Sequence, residues 1–141
     1  WEITVKTLIV DDEYSIRQVL KYMLSKTGKT DQAVNGEEAI RLFLQAWREK
    51  EPYDLICMDI MMPLMDGKES VKAIREQEKL MGLKSSEEVK IMMITALGDP
   101  KSVVESYYKS GADAYIVKPF DKQDFLETIA KLGLKLPNNE I

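Results

Sequence analysis

Residues 5–12 read VKTLIVDD, a short apolar-rich run that ends in two aspartates, Asp11 and Asp12. Such a run is typical of a strand that is buried on both faces of a sheet. Apolar residues then recur at helical spacing from Ile16 to Leu24, and Gly28 ends the pattern. The stretch therefore predicts a first strand with acidic side chains at its carboxyl end, followed by a first helix.

The alternation of strand and helix continues along the rest of the chain. Further strands are predicted at residues 30–34, 54–58, 90–95 and 114–117. Asn35 and Asp121 are predicted to cap the second and fifth helices. Asp99 is predicted to cap the fourth helix, with Pro100 in its first turn. The polar residues 78–90 predict a longer connection between the third helix and the fourth strand.

This rhythm of elements predicts the fold class. Five strands that alternate with five helices imply a doubly wound α/β fold, a three-layer sandwich in which helices cover both faces of a parallel sheet. A chain of 141 residues, 45% of them hydrophobic, has enough apolar material for one ordinary core. We expect a single domain over residues 1–141, with a core at about 5–133 and a loose tail at 134–141.

The composition argues against several classes of function. No window approaches the roughly 18 consecutive apolar residues of a membrane span, and the N-terminus lacks a secretory signal, so we expect a cytoplasmic protein. A net charge of −4 and a pI near 5.0 disfavour direct binding to nucleic acid. The chain has no histidine, so any phosphate chemistry must use carboxylates, lysine and hydroxyls. The single cysteine, Cys57, lies in an apolar run and is interpreted as buried and inert.

Reactive polar residues follow the predicted strands. In an open α/β sheet, ligands bind beyond the carboxyl ends of the strands, near the point where the strand order reverses. The residues at those ends are Asp11, Asp12 and Glu13, then Asp59, then Thr95 and Ala96, and finally Lys118 and Pro119. The sequence therefore predicts that one edge of the sheet carries carboxylates, a hydroxyl and an ammonium group.

These groups can act together in phosphoryl transfer. Crowded carboxylates repel one another unless a hard cation such as Mg²⁺ lies among them. Asp59 can then attack phosphorus, while Lys118 and Thr95 stabilise the other oxygens, giving an acyl phosphate. Each residue alone also has an ordinary explanation, since Asp12 could cap a helix, Asp59 could start a turn and Thr95 is a common strand residue.

Four segments of the chain together resemble the response-regulator receiver domains of bacterial two-component signalling, including the single-domain chemotaxis type. The segments are Leu8-Ile9-Val10-Asp11-Asp12-Glu13, Met58-Asp59-Ile60-Met61-Met62-Pro63-Leu64-Met65-Asp66-Gly67, Thr95-Ala96-Leu97 and Tyr115-Ile116-Val117-Lys118-Pro119-Phe120. The resemblance extends over nearly the whole chain, from about Lys6 to Leu132. It implies a flavodoxin-like (βα)5 fold with strand order 2-1-3-4-5.

The resemblance also implies a role for each acidic residue of the site. Asp59 would be the phosphoacceptor, Asp12 a direct metal ligand, and Asp11 a metal-site residue that acts partly through water. Met61 would contribute its backbone carbonyl. The implied cation is Mg²⁺, with Mn²⁺ as a substitute, and the implied phosphodonor is a sensor histidine kinase or a phosphotransfer protein.

The resemblance further implies a conformational switch. Thr95 would be the switch hydroxyl, Lys118 the phosphoryl-binding lysine, and Tyr115 the aromatic that turns inward on activation. Alternatively, Tyr115 is simply a half-buried aromatic of the fifth strand. The face formed by helix four, strand five and helix five would then bind an unknown downstream protein, and its candidate contact residues are Val103, Val104, Tyr107 and Tyr108.

Three other readings of the sequence remain open. The chain could be a receiver fragment of a larger regulator, with residues 136–139 as the start of a linker to an output domain. A Mg²⁺-dependent phosphatase is disfavoured, because the position two residues beyond its aspartyl nucleophile needs an acid and here is Met61. A degenerate receiver that works without phosphate is disfavoured because the acidic cluster, Thr95 and Lys118 are all present.

Overall fold

Five parallel strands form one sheet in the computed structural model, which describes residues 4–60 and 67–137. The sheet order is β2-β1-β3-β4-β5, as the family resemblance implies. The strands are β1 Thr7–Val10, β2 Thr30–Ala33, β3 Leu55–Asp59, β4 Lys90–Ala96 and β5 Ala114–Lys118. The helices are α1 Tyr14–Met23, α2 Gly36–Arg48, α3 Gly67–Leu80, α4 Lys101–Ser110 and α5 Lys122–Lys131, and a short 3-10 helix covers Ser85–Glu87. The flavodoxin-like fold is therefore confirmed.

Two apolar clusters hold the helices against opposite faces of the sheet. Side chains of α2, α3 and α4 pack on one face, represented by Phe43, Ile74 and Tyr107. Side chains of α1 and α5 pack on the other face, represented by Leu20 and Phe125. Strands β1 and β3 are buried along their whole length, because both faces of the sheet are covered at its centre. The three-layer prediction is thus confirmed.

Three sequence interpretations of apolar residues have different outcomes. Cys57 is fully buried in the second cluster, which confirms its predicted burial, and this burial raises the pKa of its thiol well above the ordinary value. Val19, one of the apolar residues between Ile16 and Leu24 that predict the buried side of α1, is 50% exposed. Leu134 and Leu136, both within the predicted loose tail, pack against the second cluster.

Helix caps follow the sequence predictions at α2 and α5 but not at α4. The Asn35 and Asp121 carboxamide and carboxylate oxygens accept backbone N–H bonds within the first turns of their helices, at 2.9 and 2.8 Å. The Asp99 carboxylate instead accepts a bond from the Ala96 N–H at 2.8 Å. Because this turn occupies the side chain, the predicted cap is wrong and Pro100 precedes the first residue of α4.

The predicted connection over residues 78–90 begins later than the sequence indicates. Helix α3 continues to Leu80, and Glu78 is fully buried although its neighbourhood is polar. The Glu78 carboxylate pairs with Arg75 at 2.7 Å and accepts a bond from the Val89 N–H at 2.7 Å. A buried carboxylate with these partners is satisfied, so its polarity did not mark the end of the helix.

None of the helices in the described ranges is long and apolar enough to cross a membrane.

Candidate functional site

The predicted site residues lie at one edge of the sheet. Asp59 is the last residue of β3 and pairs with Ile94 on β4, next to Thr95. Lys118 is the last residue of β5 and pairs with Ala96. Asp11 follows β1 directly, and the strand order reverses between β1 and β3. Parallel register therefore brings residues that are far apart in the chain to the crevice where open α/β sheets bind ligands.

Three carboxylates converge at this edge. Asp11, Asp12 and Asp59 each offer an oxygen, and these oxygens lie within 4.8 Å of one another. Asp11 is 1% exposed and Asp59 is 9% exposed, whereas Asp12 faces solvent. Such a group combines buried oxygen ligands with an open side through which an ion or a phosphoryl donor can approach.

Asp11 carries the electrostatic cost of this arrangement. Its burial, together with the charges of Asp59 and Asp12, raises the pKa of its carboxyl group to about 6. A bond from the Glu13 N–H to Asp11 Oδ1, at 2.8 Å, and the charge of Lys118 act in the opposite direction. Asp11 Oδ2 is buried and accepts no hydrogen bond from the residues that the structure describes. The pocket thus contains a buried carboxylate oxygen without a hydrogen-bond partner among the described residues.

A divalent cation with a preference for oxygen fits this donor set. A hard cation would bind the exposed oxygen of Asp12 and the orphaned oxygen of Asp11, and it would offset the repulsion among the three carboxylates. Met61, whose backbone carbonyl was expected to complete the ligand set, lies outside the described residues. The acidic cluster can therefore hold a metal ion.

The hydroxyl and ammonium groups lie on the two strands beyond Asp59. Thr95 is 2% exposed near the end of β4. Lys118 is partly buried at the end of β5, and its charge lowers the pKa of Asp11. Both residues occupy the edge at which their sequence positions were expected to lie.

The aromatic residues of α4 and β5 divide between surface and core. Tyr115 is 45% exposed, and its ring packs edge-on against that of Tyr108, with 5.8 Å between ring centroids. Val103 and Val104 are partly buried against the first cluster. Tyr107 is only 2% exposed, so it is not a surface contact residue as the sequence had allowed.

Arg17 is a support of the site that the sequence reasoning missed. Its guanidinium donates a bond from Nη1 to the backbone carbonyl of Asp11 at 2.9 Å and one from Nε to Gln32 Oε1 at 2.9 Å. These bonds join the β1–α1 loop to β2. No local pattern in the sequence marks these contacts, because Gln32 lies 15 residues further along the chain.

Comparison with known proteins gives matches over nearly the whole chain. The family model of the response regulator receiver domain matches residues 7–130. Chemotaxis protein CheY of Thermotoga maritima is 34% identical over 130 residues, which cover 91% of this chain and 97% of that protein. The solved structure of chemotaxis protein CheY4 of Vibrio cholerae superimposes with a TM-score of 0.73 at 31% identity, covering 91% of this chain and 98% of that one.

Longer proteins also match. Transcriptional regulatory protein ResD of Bacillus subtilis is 38% identical over 128 residues, which cover 90% of this chain but 47% of ResD. The chain therefore spans about half the length of several curated relatives that it matches.

Proposed function

The chain belongs to the response regulator receiver domain family of two-component signalling, and from this membership we propose that Asp59 is its phosphoacceptor. The observation that carries the proposal is the convergence of the Asp11, Asp12 and Asp59 oxygens within 4.8 Å. Asp59 is the central residue of this edge, because β3 lies between β1, which precedes the other two carboxylates, and β4, which carries Thr95.

The proposed reaction is transfer of a phosphoryl group from a phosphohistidine to the Asp59 carboxylate. An Asp59 oxygen forms a bond to phosphorus while the bond from phosphorus to the imidazole nitrogen breaks. The electron pair of the broken bond stays on that nitrogen. The product is an acyl phosphate on the protein itself, so the chain acts as a single-turnover acceptor and not as a multiple-turnover enzyme.

The neighbouring residues stabilise charge on the transferred group. The Lys118 ammonium and the Thr95 hydroxyl lie on the strands beyond Asp59, where each can donate to a phosphoryl oxygen. Asp11 and Asp12 would hold the Mg²⁺ ion, with Mn²⁺ as a substitute. Bound there, the cation supplies positive charge to the phosphoryl oxygens and offsets repulsion between the incoming phosphate and the carboxylates.

We propose that the phosphorylated site alters the surface of α4, β5 and α5. The added phosphoryl oxygens draw the Thr95 hydroxyl inward, and Tyr115, now 45% exposed, turns into the space that Thr95 leaves. The rotation would break its edge-on contact with Tyr108 and change the shape of the exposed face. A downstream protein would then bind one state of this face better than the other.

The partners follow from the same proposal. The phosphodonor is a sensor histidine kinase or a phosphotransfer protein, and the output is a change in binding to a downstream protein. The matched relatives differ in length, and they support two domain arrangements for that output. The match to full-length CheY supports a receiver that acts alone, whereas the match to half of ResD supports a receiver joined to an output domain.

Labelling with a small phosphodonor tests the role of Asp59. The wild-type protein, incubated with Mg²⁺ and acetyl phosphate, is expected to gain one base-labile phosphoryl group, seen by intact mass. Asp59→Asn is expected to gain none, since the amide is a poor nucleophile.

Asp54→Asn is the matched control. Asp54 precedes β3 at the opposite end from Asp59, and its Oδ2 accepts a bond from the Lys6 N–H at 2.8 Å, which an amide oxygen can also accept. This variant should label like the wild type. Equal labelling of wild type and Asp59→Asn would remove Asp59 from the proposed role.

A further inference from the structure

Tyr107 connects helix α4 to the residue that follows Asp59. Its ring is 2% exposed, and its hydroxyl donates a hydrogen bond to the Ile60 backbone carbonyl at 2.7 Å. The Ile60 N–H in turn donates to the Ile94 carbonyl of β4 at 3.1 Å. The peptide groups next to Asp59 are therefore held by the sheet on one side and by α4 on the other.

Gly67 at the start of α3 is fitted to the same hydroxyl. A Cβ atom added to Gly67 would overlap the Tyr107 hydroxyl and come within 2.8 Å of the ring. The space that a side chain at Gly67 would need is filled by the Tyr107 hydroxyl and ring. Tyr107 thus occupies a close-fitting slot between the start of α3 and the end of β3.

The next residue of α4 belongs to the exposed face. Tyr108 is 42% exposed, and its ring packs edge-on against Tyr115. Adjacent residues of one helix turn therefore reach the carbonyl beside Asp59 and the surface where Tyr115 lies. The Ile60 carbonyl is thus connected through the Tyr107 hydroxyl to the helix that carries Tyr108.

We propose that Tyr107 is a positioning residue that transmits the state of Asp59 to helix α4, through its hydrogen bond to Ile60. The inference rests on the proposed function of Asp59 and adds a second route to the one through Thr95 and Tyr115. Phosphorylation of Asp59 displaces the backbone that follows it. The hydrogen bond from the Tyr107 hydroxyl to the Ile60 carbonyl then moves α4 with that backbone. A phosphoryl mimic at Asp59 would change the affinity of α4 for its partner by some factor. By linkage, the bound partner changes the affinity of the site for the mimic by that same factor.

The alternative is that Tyr107 is only a core tyrosine that satisfies a buried carbonyl. Tyr53 is a matched control for that role. It is 5% exposed in the same apolar cluster, and its hydroxyl donates to Asp31 Oδ2 at 2.7 Å. Tyr107→Phe and Tyr53→Phe each remove one hydrogen-bonded hydroxyl and keep the ring, and both variants should remain folded.

The test compares the two variants by NMR, without ligand and with Mg²⁺ and saturating beryllofluoride as a phosphoryl mimic. Without ligand, Tyr107→Phe should shift the Ile60 carbonyl carbon, and Tyr53→Phe should not. With the mimic, amide shifts at Asp59 should report binding in all three proteins. The α4 amide shifts should be smaller by about twofold or more in Tyr107→Phe, and unchanged in Tyr53→Phe.

The outcomes separate this inference from the proposed function. Full α4 shifts in Tyr107→Phe, or equal losses in both variants, would overturn the positioning role. An unchanged Ile60 carbonyl in ligand-free Tyr107→Phe would overturn it as well, whatever the mimic does. If the Asp59 amide shift of the wild type does not change with the mimic, the phosphoacceptor proposal is contradicted. The positioning role is then contradicted too, because no signal is left for Tyr107 to transmit.

Discussion

Asp11 combines burial with an oxygen that accepts no bond from the described part of the chain. Its carboxylate also faces two further acidic residues within 4.8 Å. Burying an uncompensated charge costs stability, and the raised pKa is the expression of that cost. We therefore predict that the Asp11 carboxylate, placed where it could bind a cation, lowers the stability of the metal-free protein.

Asp11→Asn should stabilise the metal-free protein at neutral pH. The folded-state pKa of Asp11 is raised from 3.8 to about 6, so the unfolded chain loses this proton first as the pH rises. Above the folded pKa the carboxylate costs up to about 3 kcal/mol, and below about pH 4 it costs nothing. Urea unfolding in EDTA should show the variant to be more stable at pH 7.5, with the difference vanishing near pH 4. A constant difference across this range would contradict the assignment.

At the level of elements, the end of α3 is joined to β4 and β5 by one arginine. Arg75 donates to the Val89 and Gly111 carbonyls at 2.8 and 3.0 Å, and it pairs with Glu78 and Asp113 at 2.7 and 2.8 Å. Gly111 has φ +120°, and a Cβ there would lie 2.7 Å from the Arg75 side chain. The α4–β5 turn therefore requires glycine for its backbone conformation and for the passage of Arg75.

Glu78→Ala should destabilise this junction strongly. The change leaves the Arg75 guanidinium without its buried carboxylate and the Val89 N–H without an acceptor, so the free energy of unfolding should fall by about 3 kcal/mol. Urea unfolding at pH 7 measures the loss.

Glu76→Ala, on the exposed face of the same helix, is the control for this prediction and should change the free energy of unfolding by less than about 0.5 kcal/mol. Similar losses in both variants would mean that the Arg75 network contributes nothing beyond helix propensity.

For the whole molecule, the acidic pocket predicts that stability depends on a bound cation. Strands β1 and β3 and the loop after β1 must be folded before the Asp11, Asp12 and Asp59 oxygens converge, so Mg²⁺ is expected to bind the native state and not the unfolded chain. The pocket lies at the carboxyl ends of the inner strands β1 and β3, and its occupation should therefore stabilise the global fold and not a single loop.

Mg²⁺ at ten times its Kd should stabilise the wild type by about 1.4 kcal/mol, which corresponds to a Tm increase of about 4 °C. Asp12→Asn should lose most of this increase, because it removes the exposed ligand of the cluster. Asp54→Asn should keep it. Thermal unfolding with Mg²⁺ and with EDTA measures the difference, and an equal increase in Asp12→Asn would contradict the metal assignment.

The sequence alone determined the fold class, the strand positions and which candidate site residues share one edge of the sheet. Apolar runs that end in Asp11, Asp59, Thr95 and Lys118 contain both the strand and its functional end, because side chains at the carboxyl ends of parallel strands must share an edge. The caps at Asn35 and Asp121 were likewise local, since a cap needs only the residues of one turn.

Only the tertiary structure decided which side chains are buried and what they contact. The Tyr107 hydroxyl reaches Ile60, 47 residues earlier in the chain, and Glu78 reaches Val89 across a connection that looked like open loop. Asp99 turned back to Ala96 and did not cap α4. Such outcomes depend on packing between elements and on competition among hydrogen-bond acceptors, and neither is a property of local sequence.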